Sequence, residues 1–188
     1  MSKVLSQQYF SRPTVQVARS LIGKYLVRSI QGREIAGQII EVEAYVGAED
    51  KACHASKGRT PRTDVLFGAA GHSYVYLIYG MYHCLNVVTE REEFPAAVLI
   101  RAIDVEGELI DGPGRLCRAL QIDRGLNRID LTSRDRLWFE DRGDRIGSRR
   151  VAALPRIGVD YAGEWAKKLW RFRLAMAQTP KKRSLKRK

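Results

Sequence analysis

Residues 39–54 read "IIEVEAYVGAEDKACH". Glu41, Glu43 and Tyr45 alternate with Ile40, Val42 and Ala44, the two-residue period of a strand. The apolar set predicts one face on a core. The other face then carries two acids and an aromatic ring, their Cβ atoms roughly 6.5–7 Å apart from one acid to the next. Two carboxylates so close repel unless a cation lies between them, and a carboxylate held in such a place suits general-base work on water. A solvated polar strand face gives the same pattern, so the neighbours must decide.

Working outward, "KYLVRSI", the turn "QGRE" and this strand predict a hairpin. Before it, "SRPTVQVARSLIGK" predicts a helix capped by Ser11, with Pro13 in its first turn and Gly23 at its end. After it, residues 47–71 form a long polar loop of a length usually tied to function. "HSYVYLIYGMYHCLNVV" predicts a second hairpin turning near Tyr79, Gly80 and Met81, and "AAVLIRAIDV" a buried strand. "RLCRALQI" has helical spacing, and its start offers N–H groups to a phosphate. "DRLWFED" and "KLWRFRLAM" read as strands, the latter at an edge. Together these predict an α+β fold: one mixed domain over 1–179, a curved, mostly antiparallel sheet with flanking helices and a protruding hairpin. Residues 180–188 form a basic tail, expected to be disordered.

The chain of 188 residues has 33 Lys and Arg against 21 Asp and Glu, a formal +12. That surplus favours a polyanionic partner. No apolar run approaches the roughly 20 residues of a bilayer span, and the N-terminus has no signal-peptide core, so a cytoplasmic, nucleoid-associated protein is expected. Cys53, Cys84 and Cys117 form no C-x-x-C pair and are expected to be buried thiols. His54, His72 and His83 have no metal-ligand spacing. No metal and no other cofactor is expected.

Four tyrosines, Tyr74, Tyr76, Tyr79 and Tyr82, fall within nine residues. Tyr74 and Tyr82 are expected to pack. Tyr79, at the hairpin tip, is better placed to stack on something outside the protein, such as a base-pair step opened from the minor groove. His54 is structural or functional on these grounds alone.

The strings E-x-E-A-Y and Y-x-Y-x-x-Y-G-M-Y, followed by "AVLIRAIDV", "DGPGRLCRAL" and "RIGVDYAGEWAKKLWRF", closely resemble the alkyladenine (3-methyladenine) DNA glycosylase family, over nearly the whole chain to about Phe172. The resemblance implies a monofunctional glycosylase, of the short bacterial type, that flips a damaged purine from duplex DNA and hydrolyses its N-glycosidic bond, starting base excision repair. Its lesions would be alkylated or deaminated purines: 3-methyladenine, 7-methylguanine, hypoxanthine and ethenoadenine. It also implies Glu43 as general base with Glu41 as supporting neighbour, and Arg101 and the Ile157 carbonyl as holders of the attacking water. Tyr45, Tyr76 and His54 would enclose the base, Asn86 would disfavour the amino group of guanine, and Leu99 would complete the base pocket. Tyr79 would intercalate. Arg59, Arg62 and Arg115 are candidates for DNA-backbone contact, although Gly114 and Arg115 stand where some relatives carry Ser and Lys, and the loop 89–97 is unusually acidic. The partner would be double-stranded DNA with damaged purines, bound by a monomer. No lysine lies on the Glu43 strand, consistent with hydrolysis by water and no Schiff-base step. Two competing readings stay open: a non-catalytic binder of damaged or distorted nucleic acid, and a bifunctional glycosylase with lyase activity.

Overall fold

The strand that carries Glu43 runs through the centre of the molecule. The computed structural model describes residues 2–175. In chain order they form β1 (Lys3–Val4), α1 (Gln7–Phe10), α2 (Thr14–Leu21), β2 (Tyr25–Ile30), β3 (Arg33–Val46), β4 (Ser73–Ile78), β5 (Tyr82–Val88), β6 (Ala96–Val105), β7 (Glu108–Asp111), α3 (Pro113–Ala119), β8 (Leu137–Asp141), β9 (Val151–Leu154) and β10 (Arg171–Leu174). The strands make one antiparallel sheet in the order β1-β8-β2-β3-β6-β5-β4, with β10 between β3 and β9, and β7 on β6. The mixed fold with its large antiparallel sheet and few helices is the one expected. The basic tail lies outside the described residues.

Both predicted hairpins form. β2 and β3 meet at Gln31 and Gly32, both at positive φ, the two-residue turn whose twist matches the flanking strands. β4 and β5 meet at Tyr79, Gly80 and Met81, with Tyr79 81% exposed at the tip.

Two expectations are corrected. β10 is no edge strand, because it pairs on both sides. Ser11 does not cap α2. The N-cap is Pro13, which has no side-chain donor or acceptor, and the Thr14 N–H and hydroxyl both donate to Glu90, at 3.0 and 2.6 Å. The acidic loop thus supplies the helix with the anion its N-terminus favours.

The alternation in β3 divides the molecule. Ile40, Val42 and Ala44 enter the main core with Leu21, Val98 and Ile100. Glu41 and Glu43 point the other way and are buried too, Glu41 among three arginines and Glu43 against Ile157, while the loop 47–71 packs against Tyr45. The loop earns its place through a second apolar cluster of Cys53, Ala55, Val65 and Leu66 packed on Tyr74, Val88 and Ala97. All three cysteines are buried and free, as expected.

Candidate active site

Antiparallel pairing aligns five residues in one row across five strands: Tyr74 opposite Asn86, Asn86 opposite Leu99, Leu99 opposite Glu43, and Glu43 opposite Arg171. Directly paired residues share a sheet face. Beside this row Tyr45 faces Ala97 and Tyr76 faces Cys84. The β3–β6 register slips at Glu41, which pairs with Ala102 where an unbroken ladder would give Arg101, and recovers by Val42. Such irregularities re-aim side chains beside functional sites. Here the slip falls at the two residues whose side chains meet.

Arg101 is the cation that the paired acids require. Its Nε–H donates to Glu41 at 2.9 Å and its Nη1–H to Glu43 at 3.3 Å. Glu41 also accepts from Arg171 at 3.3 Å and Arg173 at 2.6 Å, and Arg173 continues to Asp111 at 3.0 Å. All three of the Glu41 donors are guanidinium groups, so its charge is matched by arginines alone. Glu43 is bound differently: Oε2 accepts from the Tyr45 hydroxyl at 2.9 Å and from Arg101, while Oε1 accepts from the Ile157 N–H at 2.8 Å. Burial, then the charge of Glu43, holds the Tyr45 phenol well above its ordinary pKa, so it stays a donor. A carboxylate has about four acceptor positions, and these three donors leave one.

Above Glu43 lies a cavity of about 420 Å³. Tyr45, His54, Tyr76, Asn86, Leu99, Arg101, Ile157, Tyr79 and Arg115 all line it. Glu43 itself lies beneath the wall and is fully buried. The aromatic lining is interlocked. His54 stands edge-on to Tyr76 at 4.6 Å and shares a 2.9 Å hydrogen bond between Nδ1 and the Tyr74 hydroxyl. Burial, reinforced by Arg62 and Lys57, lowers the His54 pKa to about 4, so its ring is neutral at neutral pH. The Asn86 amide is fixed by donation to the Tyr74 carbonyl at 3.1 Å.

Other candidates stand apart. Arg59 is paired with Asp64 at 2.8 Å and Glu93 at 3.0 Å, and Arg62 lies over the Tyr76 ring at 5.2 Å rather than on the cavity wall. Ile157 donates its N–H to Glu43, a contact separate from the water-holding role that the family resemblance implies for its carbonyl. Tyr74 packs as expected, but Tyr82 is 38% exposed and lines the cavity with Tyr161.

Sequence reasoning missed Arg171, Arg173, and the buried pair of Asp50 and Arg156, joined at 2.6 and 2.9 Å. A signal for the first two existed: "RFR" repeats on β10 the period of "EVE" on β3, basic where the other is acidic. Asp50 and Arg156 lie 106 residues apart and carry no such mark. Among the described residues no cluster of His, Cys, Asp or Glu suits a metal ion.

The site is thus an aromatic-lined cavity set over a buried, arginine-bridged carboxylate. The chain belongs to the methylpurine-DNA glycosylase family, whose model matches residues 8–178. It is 51% identical over 185 residues to a protein of Methanocella arvoryzae (90% of this chain, 91% of that one), and 51% over 171 residues to one of Legionella pneumophila strain Lens (89% and 92%). A protein of Myxococcus xanthus is 49% identical over 173 residues (89% and 88%). Each of the three is named "Putative 3-methyladenine DNA glycosylase". The chain is accordingly an enzyme, a DNA glycosylase that hydrolyses N-glycosyl bonds. No helix among the described residues is long and apolar enough to cross a membrane.

Proposed function

We propose that the chain acts as a monomer on double-stranded DNA in the cytoplasm, excises alkylated or deaminated purines by flipping them into the cavity, and is monofunctional. The observation that carries this is the coordination of Glu43, whose three donors leave one acceptor position free on Oε1, the oxygen bound by Ile157 of the cavity wall. A water held there gives up its proton to Glu43 as it attacks C1′. The departing purine leaves an oxocarbenium-like sugar, which the buried carboxylate stabilises through a low-dielectric path. Flipping costs a few kcal/mol, and stacking on Tyr45 and Tyr76 recovers part of it. Tyr79, exposed at the tip, fills the space left in the duplex.

The test is single-turnover base release from duplexes carrying hypoxanthine or 1,N6-ethenoadenine, in EDTA, by the wild type and Glu43→Gln. Release by the wild type alone is expected, with both proteins retaining affinity for an abasic-site analogue. Undiminished release by Glu43→Gln would remove Glu43 from its role. Tight binding with no release by either protein from any damaged purine would favour a passive binder, and a borohydride-trapped adduct would favour a lyase.

A further inference from the structure

Two of the three donors on Glu43, the Tyr45 hydroxyl and the Ile157 N–H, belong to residues beside Arg156. Arg156 is buried, and its guanidinium donates to both oxygens of Asp50, to the Ala44 carbonyl at 2.9 Å and to the Trp165 carbonyl at 3.0 Å. Asp50 in turn accepts from the Val46 and Ala52 N–H groups, each at 3.1 Å. The pair thereby ties the end of β3 and the start of the loop after it to the 155–167 segment. Ala44 lies between Glu43 and Tyr45 in the chain, and Arg156 immediately precedes Ile157. The guanidinium also lies over the Tyr45 ring at 4.9 Å and the Trp170 ring at 5.2 Å.

We infer that Arg156, locked by Asp50, is the positioning residue that aims the Tyr45 hydroxyl and the Ile157 N–H at Glu43. This rests on Glu43 as the base. Stability alone is a poor reason for the pair, because a buried ion pair can often be replaced by apolar residues without loss of stability. Hydrogen bonding alone is no better a reason, since the Arg156 Nε–H is the buried side-chain polar atom without a partner among the described residues. What the arrangement does supply is a planar, forked cation that sets two backbone segments and one ring at once, which lysine cannot reproduce.

The experiment compares wild type, Arg156→Lys, Asp50→Asn and the double variant Asp50→Leu/Arg156→Met, the last in case the single changes unfold the chain. Three quantities are read: melting temperature, affinity for a duplex with an abasic-site analogue, and the single-turnover rate at saturating enzyme on hypoxanthine DNA. In the folded variants the rate falls about 100-fold, the scale of a small misplacement at a reacting centre. Affinity for the abasic analogue stays within about twofold. The loss is smaller when Arg156→Lys is made in a Tyr45→Phe background, because one of the two aimed donors is already gone. A folded variant with the wild-type rate overturns the inference, as does a loss of affinity with the rate kept, which would make the pair a support for the DNA-facing surface. If the wild type releases base and Glu43→Gln releases it equally, the proposed role of Glu43 falls first and this inference with it.

Discussion

His54 shows how burial decides the state of a single residue. Its pKa of about 4 lies below the roughly 6.5 of an unfolded chain, so on acidification the unfolded state takes up the proton first. The stability tied to neutral His54 is complete above about pH 6.5 and is lost as pH falls from there towards 4. Between pH 7 and pH 5 the loss is on the order of 1–2 kcal/mol. Urea unfolding at the two pH values should show His54→Gln losing less stability than the wild type over that interval; parallel losses would mean His54 does not carry the term. Asn86 presents a different constraint. Its amide is held by the Tyr74 carbonyl, so it cannot turn away from a base in the cavity. Asn86→Ser should raise release of 7-methylguanine relative to hypoxanthine in parallel single-turnover assays, and an unchanged ratio would show that Asn86 is no gate.

At the scale of elements, α3 and the β4–β5 hairpin meet at Gly114. A Cβ there would stand 2.9–3.0 Å from the Tyr82 side chain. The atoms met include the Tyr82 Cβ, which no side-chain rotation moves, so the backbone must give and Gly114→Ala should cost up to the roughly 1–3 kcal/mol of overpacking. The displacement would be passed to the hairpin that carries Tyr79. Expected are a lowered melting temperature and a weakened affinity for lesion-containing duplex, compared side by side with Tyr79→Ala; full affinity would show that the hairpin absorbs the change. These elements also mark how far sequence carries. The alternation of β3, the Gln31–Gly32 turn and the tyrosine hairpin were legible because each is a local pattern. The α2 cap was not, because Glu90 stands 76 residues from Thr14. Likewise nothing local to "KLWRFRLAM" tells a central strand from an edge. The site divides in the same way: Glu41, Glu43 and Tyr45 announce themselves by spacing, the roles of Arg101, His54 and Asn86 came from family resemblance, and the Asp50–Arg156 pair exists only once the chain has closed on itself.

Over the whole molecule, the +12 surplus is what remains once paired acids and bases cancel. Arg101, Arg156, Arg171 and Arg173 are spent on buried acids, and Arg59, Arg128, Arg134 and Arg142 are paired nearer the surface. Residues 180–188, outside the described part, hold six of the chain's basic residues and no acid. Arg115 is exposed on the cavity rim. These two sources should act differently on binding. Each phosphate contact contributes about 0.9 to the slope of log affinity against log salt. Arg115→Ala should therefore flatten that slope by about 1 and weaken lesion and non-specific duplex alike. Ending the chain at Thr179 should flatten it further for undamaged DNA, while the single-turnover rate at saturating enzyme stays that of the wild type. Affinity titrations from low to moderate salt on both duplexes separate the two. A truncated chain with an unaltered slope would assign the electrostatics to the folded surface alone, and a truncated chain with a slowed chemical step would place part of the tail at the site.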